Sequence, residues 1–252
     1  MKEPLINNIF PTPVYMTEMD RPFTKQELIF VKEQKKHCDK NAGNIKTKDS
    51  YILNRKEFKN IKKFLTKHCK NYLDTVICPK NNIELYITQS WLNYTEENKY
   101  HHIHSHPNSI ISGVLYFNCD EQNDKIKFTN PKNYNQIKPE IKEYNIWNSE
   151  TWWFPLQTGQ LLMFPSSTVH QVDTKKGLNT RTSLAFNTLI SPLISCSFSY
   201  TSLGSCGSSC ILLYSIVTSL PANNCADTFG YSFLYAFAEL PTIPLKFTSK
   251  SC

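Results

Sequence analysis

From residue 80 onward the chain shows no helical period. It carries one short extended run after another, and this limits the fold more than any other feature. Residues 83–94 (IELYITQSWLNY) alternate in part and are rich in β-branched and aromatic side chains, the composition that suits a pleated, half-buried surface. Residues 110–117, 125–128, 151–155, 160–164, 169–172 and 180–189 read the same way, parted by turns bearing Pro, Asn or Gly. Near the start, residues 9–15 (IFPTPVY) predict an edge strand, because Pro11 and Pro13 cannot donate to a central ladder. Roughly eight strands with no helices interposed exclude a parallel α/β sheet and predict a mainly β jelly roll.

Two helices precede the strands and are predicted to support the sheet from one side. Thr24 followed by Glu27 has the spacing of a capping box ahead of Leu28, Phe30 and Val31. Over residues 56–76, Phe58, Ile61, Phe64, Leu65, Cys69, Tyr72 and Leu73 recur at three and four, an amphipathic helix facing a core. His37 and His68 lie among lysines and are predicted on the surface. Residues 39–50 and 130–150 are polar and predicted to be loops.

Charge and cysteine usage narrow the setting. The 28 Lys and Arg against 21 Asp and Glu give a net charge of +7. The lysines are dispersed with no aromatic-interleaved patch, so a solvated basic surface is expected rather than a nucleic-acid interface. No run of 18 apolar residues occurs, and the N-terminus lacks the apolar segment of a secretory signal. A cytoplasmic location without a membrane partner is therefore expected. Cys38, Cys69, Cys78 and Cys119 are scattered without CxxC spacing, as reduced thiols would be.

The composition changes near residue 190. From Thr182 to Ala226 there is no charged residue, and Ser and Cys become abundant. Two parts are expected: a jelly-roll domain over 1–190, and an atypical tail over 191–252 with the character of a disordered, foreign or frame-shifted translation. A cysteine-metal module is the rival for the tail. It has weak support, since Cys206 and Cys210 have no second close pair and no histidine follows His170.

Chemistry concentrates in residues 100–117 (YHHIHSHPNSIISGVLYF). His101, His102, His104 and His106 are four of the seven histidines in the chain. On an extended segment, residues i and i+2 share a face. His102 with His104, or His104 with His106, can thus offer two imidazoles to one metal ion. His101 would then point away. His170 on a later strand supplies a third ligand, and Arg181 follows one strand on. Pro107 and Asn108 are expected to form a turn. Trp91, Tyr116, Trp152, Trp153 and Phe164 are candidates to wall a pocket or to fill the sheet core.

The chain resembles the 2-oxoglutarate/Fe(II)-dependent oxygenases found in phages and marine bacteria. The resemblance is carried by the IFPTPVY opening, SWLNY, HxHPNSxxSGVLYF, the GxLLxFPSxxxH block and RTSLAFN, and covers about residues 8–190. It implies a double-stranded β-helix with Fe(II) at its open end, bound by His104, His106 and His170, with His102 as the alternative ligand. It also implies 2-oxoglutarate as co-substrate, its 5-carboxylate paired with Arg181 beside the Ser183 hydroxyl. The implied reaction is hydroxylation of a substrate with release of succinate and CO2, in a host cytoplasm if the chain is viral. The substrate class stays open among protein side chains, nucleobases and small metabolites.

The wider superfamily uses two histidines and one carboxylate. Here no Asp or Glu lies between Lys99 and Cys119. Glu96, Glu97 and Asp120 flank the cluster. The site is therefore three-histidine, or its carboxylate comes from elsewhere. Two other readings stand beside the oxygenase: a non-enzymatic jelly-roll binding or viral structural protein, and a cupin-like three-histidine enzyme that does not use 2-oxoglutarate.

Overall fold

Eleven strands form two antiparallel sheets in the computed structural model, which describes residues 4–130 and 139–193. The larger sheet contains β1 (Tyr15–Glu18), β2 (Cys38–Asn41), β3 (Asn44–Thr47), β4 (Ile83–Thr95), β6 (Ile111–Asn118), β9 (Gln160–Pro165) and β11 (Arg181–Pro192). Their order is β1-β9-β6-β11-β4-β3-β2. The smaller sheet contains β5 (His101–His104), β7 (Lys125–Thr129), β8 (Thr151–Pro155) and β10 (His170–Val172), in the order β5-β10-β7-β8. This is the expected mainly β jelly roll.

The long apolar runs follow from burial on both faces of the larger sheet. In β6 and β9 nearly every residue is buried, so the sequence reads as continuous hydrophobic rather than alternating. Val114, Tyr116, Leu162 and Phe164 pack toward the smaller sheet with Ile126, Phe128 and Val172. Leu115, Phe117, Leu161 and Met163 pack the opposite way, with Leu184, Phe186 and the helices. Gly113 in β6 is needed for this packing. A Cβ there would stand 2.2 Å from the Phe186 ring, which lies directly across the ladder.

Both helices form where the sequence places them. α1 (Lys25–Gln34) begins at Thr24, whose hydroxyl accepts from Glu27 N at 3.2 Å while Glu27 Oε2 accepts from Thr24 N at 2.7 Å. Arg21 donates to both Glu27 oxygens, at 2.9 and 2.6 Å, so this buried carboxylate is fully engaged. α2 (Lys59–Tyr72) follows a 3-10 turn at Lys56–Phe58 and lays Ile61, Leu65, Cys69 and Tyr72 on the sheet.

Three local expectations need correction. The edge strand predicted over 9–15 starts instead at Tyr15, while Ile9 and Phe10 are exposed. Pro11 and Pro13 remove donors and constrain the residues before them, so pairing begins only after they have passed. Residues 39–50, predicted as loop, contain the β2–β3 hairpin, with Gly43 at φ +87 in its turn. These are polar strands on the sheet's outer margin, and their sequence shows no apolar alternation. His68 is buried rather than exposed: its Nδ1 lies 2.7 Å from the Tyr15 hydroxyl and its ring packs on Phe64.

Other expectations hold or fall outside the described residues. His37 is exposed, and Cys38, Cys69, Cys78 and Cys119 are free thiols. Residues 139–150 form turns without strands. The readings on residues 131–138, on the tail from residue 194, and on Cys206 and Cys210 lie outside the described residues. Among the described residues no helix is long and apolar enough to cross a membrane.

Candidate metal centre and co-substrate pocket

β5 and β10 lie side by side at one end of the barrel, and the register sets His170 directly opposite His104. Phe128 of β7 flanks His170 on its other side. His106 follows β5 and is tied back by its backbone N–H, which donates to Ser166 O at 2.9 Å. The turn through Pro107 then needs a left-handed residue, and Asn108 takes it at φ 56. As a result His104, His106 and His170 present ring nitrogens that lie within 4.8 Å of one another. Three ligands at that spacing suit one ion.

The protonation pattern favours metal binding. His104 Nδ1 lies 2.7 Å from His102 O, and His170 Nδ1 lies 2.9 Å from Thr168 O. A carbonyl only accepts, so each Nδ1 carries the proton and each Nε2 keeps its lone pair. Burial, reinforced by neighbouring histidines, pushes His106 down to about 4 and His170 down to about 3. These imidazoles are neutral at physiological pH, the state a metal requires.

His101 does not point away. Its ring stacks on His104, with centroids 4.7 Å apart. The cause is a register shift: His104 to His101 on β5 spans the same distance as His170 to Val172 on β10. The extra residue is a bulge, which breaks strict alternation and brings positions three apart to one face. His101, His102 and His104 thereby make a second close group. His102 turns its Nδ1 toward Ala42 O at 3.2 Å. It does not join the group that contains His170.

Arg181 opens β11 opposite Thr95 of β4 and is buried. Its Nη1 donates to Asp124 Oδ1 at 2.7 Å, and Lys175 Nζ approaches Asp124 Oδ2 at 3.5 Å. Lys175 and Asp124 are themselves buried. Two buried cations thus share one buried anion, and the less buried Asp120 carboxylate also acts on Lys175. Arg181 Nη2 has no hydrogen-bond partner among the described residues.

The histidines and Arg181 face one enclosed cavity. It is lined by Trp91, Asn93, Thr95, His104, His106, Tyr116, Phe164, His170, Arg181 and Ser183, among others. The cross-strand register gives its axis. Trp91, whose ring is 6.0 Å from that of His106, faces Ala185; Asn93 faces Ser183; Thr95 faces Arg181. The cavity therefore runs from the histidines to the guanidinium along β4 and β11. Above the histidines lies a polar cleft of about 650 Å³ whose walls include Lys46, Tyr51, Trp91, Asn108 and Asn187, with no carboxylate.

Comparison with known proteins bears on this arrangement. Residues 89–187 match a family model described as "Putative 2OG-Fe(II) oxygenase". That stretch is similar to 2OG-Fe(II) oxygenase domains. It contains every histidine of both close groups, together with Asp124, Lys175, Arg181 and Ser183. The chain also has solved structural neighbours. The epimerase SnoN, solved in complex with Fe3+, alpha ketoglutarate and nogalamycin RO, matches with TM-score 0.50 at 9% identity, over 73% of this chain and 80% of that one. A 2OG-Fe(II) oxygenase family oxidoreductase from Burkholderia pseudomallei matches with TM-score 0.47 at 14% identity, over 69% and 83%. A prolyl-4-hydroxylase from Pseudomonas putida gives 0.47 at 9%, over 70% and 92%. At 9% identity the likeness to SnoN is one of fold. No curated protein matches the chain.

Among the described residues, the groups spaced to hold a metal consist of histidine alone. Two of the flanking acids are engaged elsewhere: Glu96 pairs with Lys35, and Asp120 accepts from Gln122 and Asn123. Of the candidate aromatic walls, Trp91, Tyr116 and Phe164 line the cavity. Trp152 and Trp153 are exposed on the outer strand β8, where Lys125 Nζ sits 3.9 Å from the Trp153 ring centre. Ser109 serves the fold, bonding Ile111 O and Thr188 O. Asp124 and Lys175 carry no sequence signal: one ends a polar turn, the other sits in a lysine-bearing loop, and only folding joins them to Arg181.

Proposed function

We propose that the chain is an Fe(II)- and 2-oxoglutarate-dependent dioxygenase that hydroxylates a substrate seated in the polar cleft and releases succinate and CO2. The observation that carries this reading is the convergence of three neutral imidazoles and one half-satisfied buried guanidinium on a single cavity.

The residues suit both groups. His104, His106 and His170 would hold the iron, His104 and His170 through Nε2 atoms oriented by their Nδ1–H bonds. Arg181 Nη2 is a buried donor without a partner, a costly state that a ligand carboxylate relieves. Ser183 adds a hydroxyl on the same face of β11. When bound, iron and 2-oxoglutarate supply the oxidising chemistry by which O2 is activated at the expense of the 2-oxoacid.

The chain's own residues do the rest. Asp124 holds one arm of the Arg181 fork and leaves Nη2 unpaired among the described residues. Tyr116, Ile126 and Phe164 exclude water from it. Three neutral ligands leave the ion its full double charge, where a carboxylate would have offset one unit. The ion then complements a dianionic co-substrate, so metal and 2-oxoglutarate bind with strong mutual dependence.

The test is succinate release by the iron-loaded protein in oxygenated buffer with 2-oxoglutarate, alongside binding of 2-oxoglutarate to the metal-loaded and metal-free forms. Protein that takes up iron yet neither binds nor turns over 2-oxoglutarate refutes the proposal. Oxygen uptake without 2-oxoglutarate would favour the cupin-like alternative.

A further inference from the structure

Two buried side-chain atoms among the described residues lack a hydrogen-bond partner: Arg181 Nη2 and Asn93 Oδ1. Both belong to the same cavity. Arg181 has the role already proposed for it, and Asn93 has none. Its residue is 2% exposed. It stands on β4 across from Ser183, which in turn faces Tyr116 on β6. This row lies between the Trp91–Ala185 pair at the histidine end and the Thr95–Arg181 pair at the guanidinium end. Anything that spans the cavity from metal to guanidinium must pass over Asn93.

A buried carboxamide without a partner is worse for stability than an apolar side chain of the same shape. The carboxamide carries two donors and an acceptor, and half a turn about its last torsion exchanges them. Since no protein group opposes Oδ1, the amide is free to turn its NH2 toward an acceptor. The acceptors of a 2-oxoacid are its carboxylate and keto oxygens.

We infer that Asn93 is a co-substrate-binding residue, its carboxamide donating to the 2-oxoacid between the metal-bound end and the Arg181-bound carboxylate. The inference rests on the dioxygenase reading above. It adds a neutral reader to the middle of the pocket, where the guanidinium does not reach.

The experiment is calorimetric titration of 2-oxoglutarate into the Co(II)-loaded protein, with Co(II) affinity and the melting temperature of the ligand-free protein measured in parallel. Asn93→Ala is expected to weaken 2-oxoglutarate about tenfold, the loss of one hydrogen bond to a charged group. Asn93→Asp sets a negative charge against a dianion and is expected to weaken it more than Asn93→Ala does. Asn93→Leu, close in shape, is expected to lose the same affinity while the ligand-free protein melts at the same or a higher temperature. Co(II) affinity stays unchanged in all three. Unchanged 2-oxoglutarate affinity in Asn93→Leu overturns the inference, as does a parallel fall in Co(II) affinity. Arg181→Met separates the two levels. If it weakens 2-oxoglutarate and Asn93→Leu does not, only the role of Asn93 fails. If the wild type does not bind 2-oxoglutarate at all, both fail.

Discussion

Asp124→Asn probes the charge arithmetic of the interior most directly. Asp124 is 3% exposed, and its carboxylate holds Arg181 Nη1 at 2.7 Å and Lys175 Nζ at 3.5 Å. It also accepts from the Asp120 backbone N–H at 2.8 Å. The substitution keeps the shape and one carbonyl acceptor but removes the only negative charge between two buried cations. Breaking a buried pair by removing one partner costs about 3–5 kcal/mol, a fall in melting temperature of roughly 6–20 °C for a domain of this size. Urea unfolding of the metal-loaded protein, with and without 2-oxoglutarate, reads the effect. Without ligand the variant should lose most of that stability. A dicarboxylate should then stabilise the variant more than the wild type, because it supplies the missing anion. A loss under about 1 kcal/mol, or equal stabilisation of both proteins by ligand, would refute the proposal that this cluster receives a ligand carboxylate.

Three further outcomes are expected. His170→Ala should abolish metal binding, whereas Arg181→Ala should spare the metal and weaken 2-oxoglutarate; equal metal loss in the two variants, read by metal titration, would contradict the assigned roles. Gly113→Ala should cost about 1–3 kcal/mol in urea unfolding, since its Cβ meets the Phe186 ring at 2.2 Å. Burial raises the Glu27 carboxyl, but hydrogen bonds from Arg21 and Thr24 outweigh it and hold the group below its usual value of 4.5. Its contribution to stability is therefore present above that value and lost as pH falls through the lowered one. Acid unfolding curves of the wild type and Glu27→Gln should converge there, and curves that stay parallel to lower pH would refute it.

What the sequence disclosed depended on whether a residue's partners were near it in the chain. Thr24 and Glu27 cap a helix three residues apart, so the cap is legible. The apolar runs of β6 and β9 are legible because both faces are buried, which leaves nothing to dilute the signal. The β2–β3 hairpin is polar even where it is buried, at Asn44 and Thr47, and its strands leave no apolar pattern. His101 illustrates a different limit. Alternation predicted that it points away, and a single extra residue in β5 reversed this. Since a bulge is a property of the pairing between two strands, neither strand announces it alone. The same holds for His68, whose burial depends on Tyr15, and for Asp124, which meets Arg181 and Lys175 from a turn more than fifty residues earlier in the chain.

The double coverage of the larger sheet has a consequence for how this protein can change. Along β11, Leu184 and Phe186 belong to the helix-side core, while Arg181, Ser183 and Ala185 face the cavity. Fold and chemistry therefore share one backbone, one residue out of step. A substitution that shifts the strand to repack Phe186 also moves the guanidinium relative to the histidines. The molecule has no neutral seam between its scaffold and its site. Variation compatible with both must gather elsewhere, at cleft-wall positions off that strand such as Lys46, Tyr51 and Asn108, where a new substrate can be fitted without disturbing it.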